Sequence, residues 1–188
     1  MVTGICLNSA GLEQGEPTAG LAQYDGRVYR VRQTRNHTIM ISNTRKDILI
    51  AAAIIRNAEG AVLLVRKSGT CAFMQPGGKL DSGETPEQCL LRELEEELGL
   101  ILEQRHLSYV RLESAPAANE KNTIVNAHLI LVDSTQSELF DDVCPAAEIA
   151  EICWTNPDDP GDIVLAPLTR DTVFPLIKRM AGTTVRRR

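Results

Sequence analysis

The sequence predicts an α/β protein, and three observations predict it. Runs of apolar and β-branched residues recur on both sides of one strongly specified helix. Gly, Pro and Asn clusters punctuate those runs at turn spacing. A second apolar-patterned helix closes the chain. With 188 residues and 43% hydrophobic content, the chain is long enough for one soluble globular domain with a core of ordinary size.

Residues 1–46 extend ahead of that domain. Leu7 to Asp25 is rich in Gly, Ala, Glu and Gln with little periodicity, so residues 1–25 are expected to be flexible. The 26–46 stretch differs, carrying Arg27, Arg30, Arg32, Arg35, Arg45 and Lys46 with partial alternation at Val28–Arg32. An extra edge strand, a homodimer arm and a lid that brings arginines to a polyphosphate are the readings it leaves open. The main domain is expected over 47–181. Ile48 to Arg56 and Ala61 to Lys67 read as strands joined by a hairpin turn at Asn57–Gly60. His106 to Leu112, Thr123 to Val132 and Ile149 to Thr155 read as further strands. Leu168 to Met180 reads as the closing helix, with Pro175 expected to kink or restart it. Residues 182–188 form a short basic tail.

The central helix has its signals in the right places. Thr85 suits the N-cap, Pro86 the first position and Gln88 the third residue after the cap, as in a capping box. Gly99 supplies the stop. Leu90, Leu91, Leu94 and Leu98 form the buried stripe. Against these signals, Glu93, Glu95, Glu96 and Glu97 crowd the last turns. Acidic groups at a helix C-terminus cost roughly 0.3–1 kcal/mol each, and the i,i+4 pair Glu93/Glu97 adds about 0.2–0.5 kcal/mol. A cation in that turn would convert the repulsion into binding. Glu93, Glu96 and Glu97 share a face at i, i+3, i+4, whereas Glu95 points to solvent. Such oxygen-only donors suit Mg²⁺ or Mn²⁺. Gly78 could add a backbone carbonyl, Lys79 could reach a phosphate as a point charge, and Glu84 could pair with Arg92.

Gly78, five residues, Glu84, seven residues, then Arg92-Glu93-Leu94-Glu95-Glu96-Glu97-Leu98-Gly99-Leu100 resembles a complete Nudix box, here 78–100. The stretch from Gly77 to Gly99 is further similar to the MutT-type, nucleotide-sanitising branch. The resemblance implies an α/β/α sandwich around a mixed β-sheet. It also implies divalent-metal-dependent hydrolysis of a nucleoside diphosphate linked to another moiety. In that reading Glu93, Glu96, Glu97 and the Gly78 carbonyl hold the metal. Glu93 orients or deprotonates water, with Arg92 and Glu84 supporting it. Glu120, Glu148 and Glu151 are alternative general bases, and Lys79 and Phe73 are candidate substrate contacts.

The box leaves the substrate open. Its MutT likeness favours a nucleoside triphosphate. Pro116, sixteen residues beyond Leu100, matches a proline typical of ADP-ribose pyrophosphatases, so ADP-ribose or another nucleoside diphosphate sugar is the alternative. A rival of another class is a non-catalytic nucleotide sensor, which would tend to lose box carboxylates that this chain keeps. A net charge of −5 argues against a general nucleic-acid partner. No apolar run approaches a membrane span and no secretory signal is evident. Five scattered cysteines fit a reducing, cytoplasmic setting. Cys89 is expected to pack, as is Trp154 at the end of an apolar strand.

Overall fold

In the computed structural model, residues 19–24, 27–34, 37–41, 46–133, 140 and 143–184 are described. The chain divides into two compact units, 1–46 and 47–188. The first is a three-stranded antiparallel meander of β1 (Ala19–Tyr24), β2 (Arg27–Thr34) and β3 (His37–Ile41). Pairing of Ala19 with Arg32 through Tyr24 with Arg27 gives a strand to the end of the stretch expected to be flexible. The alternation at Val28–Arg32 becomes β2. The expectations for residues 1–18 and for Arg186–Arg188 fall outside the described residues.

The second unit is layered by strand alternation. Along β4 (Lys46–Ile54) and β5 (Val62–Lys67), Ala51, Ala53, Leu63 and Val65 point to one core. Ala52, Ile54, Val62 and Leu64 point to another. Strands buried on both faces read as continuous apolar runs, as these two do. The first core is covered by α1 (Pro86–Leu98), through Leu90, Leu94 and Leu98. The second is covered by α2 (Phe174–Thr184), through Phe174, Leu176 and Ile177. The result is an α/β/α sandwich.

Its β layer comprises two sheets. One has the order β7–β4–β9–β8, with β7 at Gly77–Lys79, β8 at Leu107–Pro116 and β9 at Thr123–Val132. The other has the order β10–β5–β6, with β6 at Phe73–Met74 and β10 at Ile149–Thr155. The turn at Asn57–Gly60 closes through Gly60 N–H donating to Asn57 O at 3.0 Å, with Asn57 Oδ1 accepting from Ala61 N–H at 2.8 Å. Beyond one bridge, Arg56 to Val62, its arms part company and join different sheets. The closing helix has a π-type turn at Thr169–Val173 just before Phe174. A wide turn there accommodates Pro175, which lacks an N–H and crowds the preceding turn.

Trp154 departs from expectation. It is 37% exposed, because among the described residues β10 is an edge strand beside β5 and this position faces outward. Among the described residues, no helix is long and apolar enough to cross a membrane.

Candidate active site

The loop before α1 is shaped by glycines with different tasks. Gly77 has φ 133°, and any side chain there would collide with the Ala51 carbonyl across the β4–β7 ladder. A Cβ on Gly78 would run into the Glu93 carboxylate. The bare backbone is therefore what lets Glu93 seat itself against the loop. On the helix side, Thr85 Oγ1 accepts from Gln88 N–H at 3.2 Å while Gln88 Oε1 accepts from Thr85 N–H at 3.0 Å. That capping box fixes where α1 begins, and with it the rotation of the acidic face.

Arg92 organises that face. Its Nε and Nη2 donate to the two Glu84 carboxylate oxygens, each at 3.0 Å, a bidentate fork of the kind guanidinium suits. Its Nη1 donates to Glu93 Oε1 at 2.7 Å and lies 3.6 Å from Glu96 Oε2. Nη2 also donates to the Lys79 carbonyl at 3.2 Å. The Arg92 guanidinium, aided by Asp81 N–H, lowers the Glu84 carboxyl from its ordinary 4.5 to about 2. A depressed carboxylate contributes stability above its unfolded value and loses it as pH falls through its folded value. Over the window from 4.5 down to about 2, wild type should lose more thermal stability than Glu84→Gln. Melting curves at stepped acidic pH check this.

Glu97 occupies a different setting from its neighbours. It is 1% exposed, whereas the Glu96 side chain is 56% exposed. Gly77 N–H donates to Glu97 Oε2 at 2.9 Å, and Lys67 Nζ stands 3.0 Å from Oε1. Lys67 also donates to Glu148 Oε1 at 2.7 Å. Burial is the largest influence on Glu97 and pushes its pKa up, with Lys67 and Gly77 N–H opposing incompletely. Burial pulls Lys67 down, but Glu148 and Glu97 outweigh it and the net shift is upward.

Two side-chain cations, Arg92 and Lys67, therefore stand against the acidic turn. Part of the repulsion that the sequence assigns to a bound cation is thus already relieved by these side chains. Among the described residues, no three His, Cys, Asp or Glu side chains are close enough to close around a cation. Even so, the donors are all carboxylate oxygens, and buried Glu97 Oε1 receives no aligned hydrogen bond. The set fits a hard divalent cation, provided Lys67 gives way at Glu97.

These groups border a cavity of about 430 Å³. Glu93, Gly77, Gly78 and Lys79 line one part, with Lys67 and Glu148 beside them. Ile48, Ile50, Ala52, Val125, Ala166 and Leu168 supply apolar walls. The loop from Pro116 to Glu120 contributes another side, where Glu120 Oε1 lies 4.0 Å from Lys79 Nζ. Of the alternative bases, Glu120 and Glu148 thus reach the cavity. Glu151 does not border it and accepts from Arg66 Nη2 at 2.8 Å.

One further expectation needs correction. Phe73 does not line the cavity. It is buried in the α2-side core, with the Arg66 guanidinium 5.9 Å from its ring centroid. The strand β6 turns it inward. The Gly78 carbonyl lies 3.6 Å from the Cys89 thiol, while Gly77 N–H reaches Glu97 Oε2 at 2.9 Å. Cys89 itself is fully buried, with its thiol pushed up to about 12, chiefly by burial. That suits packing and disfavours thiolate chemistry.

Sequence reasoning missed Lys67 and Gln75. In sequence Lys67 is only the last residue of a strand run, and its place beside Glu97 comes from the fold. Gln75 showed no signal beyond its place next to Pro76.

A family model for the NUDIX domain matches residues 47–177. An 8-oxo-dGTP diphosphatase of Haemophilus influenzae is 51% identical over 61 residues, covering 30% of this chain and 45% of the relative. The chain thus spans about half the length of that relative. Among solved structures, the E. coli ORF135 protein aligns with a TM-score of 0.52 at 26% identity, covering 78% of this chain and 98% of that one. A MutT protein from Methanosarcina mazei Go1 gives a TM-score of 0.54 at 22% identity, covering 73% and 97%. The second of these bears on fold alone.

Proposed function

Since the chain belongs to the NUDIX family, we propose that it hydrolyses the pyrophosphate linkage of a nucleoside triphosphate or related nucleotide, with Mg²⁺ or Mn²⁺. The observation that carries this reading is Glu93: its carboxylate is wedged against Gly78, gripped by Arg92 at 2.7 Å and open to the cavity. The 8-oxo-dGTP diphosphatase name of the H. influenzae relative makes an oxidised guanine nucleotide the first substrate to try.

In this reading Glu93 accepts a proton from the attacking water or orients it, and Arg92 holds that carboxylate in place. Lys79 and Lys67 offset charge on the phosphates from two sides of the cavity. Glu93, Glu96 and Glu97 would hold the divalent ion, which, when bound, neutralises phosphate charge and lowers the pKa of water. The apolar walls exclude water and accept the nucleoside.

Pro116 also lines the cavity, which keeps ADP-ribose as a second reading. Product release from a panel of nucleoside triphosphates, their 8-oxo forms and ADP-ribose tests both, with Mg²⁺ or Mn²⁺ against chelator. Triphosphate turnover that vanishes with chelator supports the proposal, and turnover confined to ADP-ribose would move the reading to Pro116's loop. Nucleotide binding without turnover under either metal would favour a sensor.

A further inference from the structure

Gln75 lies between β6 and β7 and has no part in the hydrolytic apparatus. It is 5% exposed and lines the cavity beside Ala52, Ala166 and Leu168. Its Oε1 accepts from Thr169 Oγ1 at 3.0 Å. Thr169 is itself fully buried in the π-type turn, so the amide is held from behind. Its Nε2 is buried and has no hydrogen-bond partner. A buried donor without a partner is costly, and native structures keep few of them without a use.

Position suggests the use. Ala52 and Leu168 belong to the α2-side core, whereas Glu93 and the Gly77–Gly78 loop lie on the α1 side of the same cavity. A nucleotide with its phosphates at Glu93 and Lys79 would extend its base toward small apolar walls and one fixed amide. We propose that Gln75, oriented by Thr169, donates from Nε2 to a carbonyl oxygen on the edge of the substrate base, so that the site prefers keto over amino bases. An amino group there would set donor against donor and leave both unpaired. This deepens the nucleoside triphosphate reading and rests on it.

The test uses two substrate pairs that differ by keto or amino at one ring carbon, with the accompanying proton on the neighbouring ring nitrogen: deoxyinosine against deoxyadenosine triphosphate, and deoxyuridine against deoxycytidine triphosphate. In the wild-type protein, kcat/KM should favour the keto member of at least one pair by roughly tenfold or more. In Gln75→Met the ratio should shrink to within about threefold, mainly through KM of the keto substrate. Thr169→Val, which frees the amide without removing it, should shrink it partway. Equal use of both members, an amino preference, or a keto preference that survives both variants would overturn the assignment. Should Gln75→Met fail to fold, the wild-type ratios and Thr169→Val still decide. If wild type turns over none of the four, the hydrolytic reading is decided on the wider panel of 8-oxo nucleotides and ADP-ribose. Equilibrium binding of deoxyinosine and deoxyadenosine monophosphates then judges Gln75 separately, with the same ratio expected.

Discussion

Glu93→Gln is expected to lower kcat by about 10²–10⁴-fold, the range a positioned general base supplies. Glutamine keeps the shape and can still accept from Arg92 Nη1, now 2.7 Å from Glu93 Oε1. The fold should survive, because Glu84 retains its own two bonds to the guanidinium. KM should change far less than kcat. Steady-state kinetics with melting curves check the split, and an unchanged kcat would remove Glu93 from the chemistry and bring Glu120 or Glu148 forward.

Glu97→Gln should also lower kcat, by at least about 10²-fold, because it deletes a negative donor from the metal-holding set. Its effect on stability is more informative. From sequence, relief of repulsion in the last helical turn would stabilise the fold slightly. The structure shows Lys67 already at 3.0 Å, so glutamine would keep an acceptor for Gly77 N–H but leave Lys67 with Glu148 alone. Against that loss stands the removal of a buried charge whose pKa burial pushes up. Each contribution is on the order of 1–3 kcal/mol and they oppose, so melting in chelator should stay near wild type. Added Mg²⁺ should then raise the melting temperature of wild type and leave Glu97→Gln unmoved.

What could be read from the sequence was what is local. Thr85, Pro86, Gln88 and Gly99 lie within one helix, and helix ends obey rules of a few residues. The strand at Thr123–Val132 carries its own signal in a run rich in β-branched and apolar residues. The same locality limited the reading of the site. A helical face shows which carboxylates are neighbours but not what packs on them, and Lys67 comes from a strand thirty residues away in sequence. Gln75 and Thr169 are 94 residues apart, so their bond has no local signature. Phe73 and Trp154 were misplaced because two-residue β6 and edge strand β10 are defined by partners in the sheet, whereas each aromatic was judged by its own surroundings in sequence.

Phosphorus NMR of wild type and Glu93→Gln side by side, with 8-oxo-dGTP and excess Mg²⁺, bears most directly on the water-activating role of Glu93. Wild type should convert the triphosphate to a nucleoside monophosphate and pyrophosphate, while the variant, still folded and still binding nucleotide, leaves it nearly intact. Conversion at equal rates by both proteins would contradict that role.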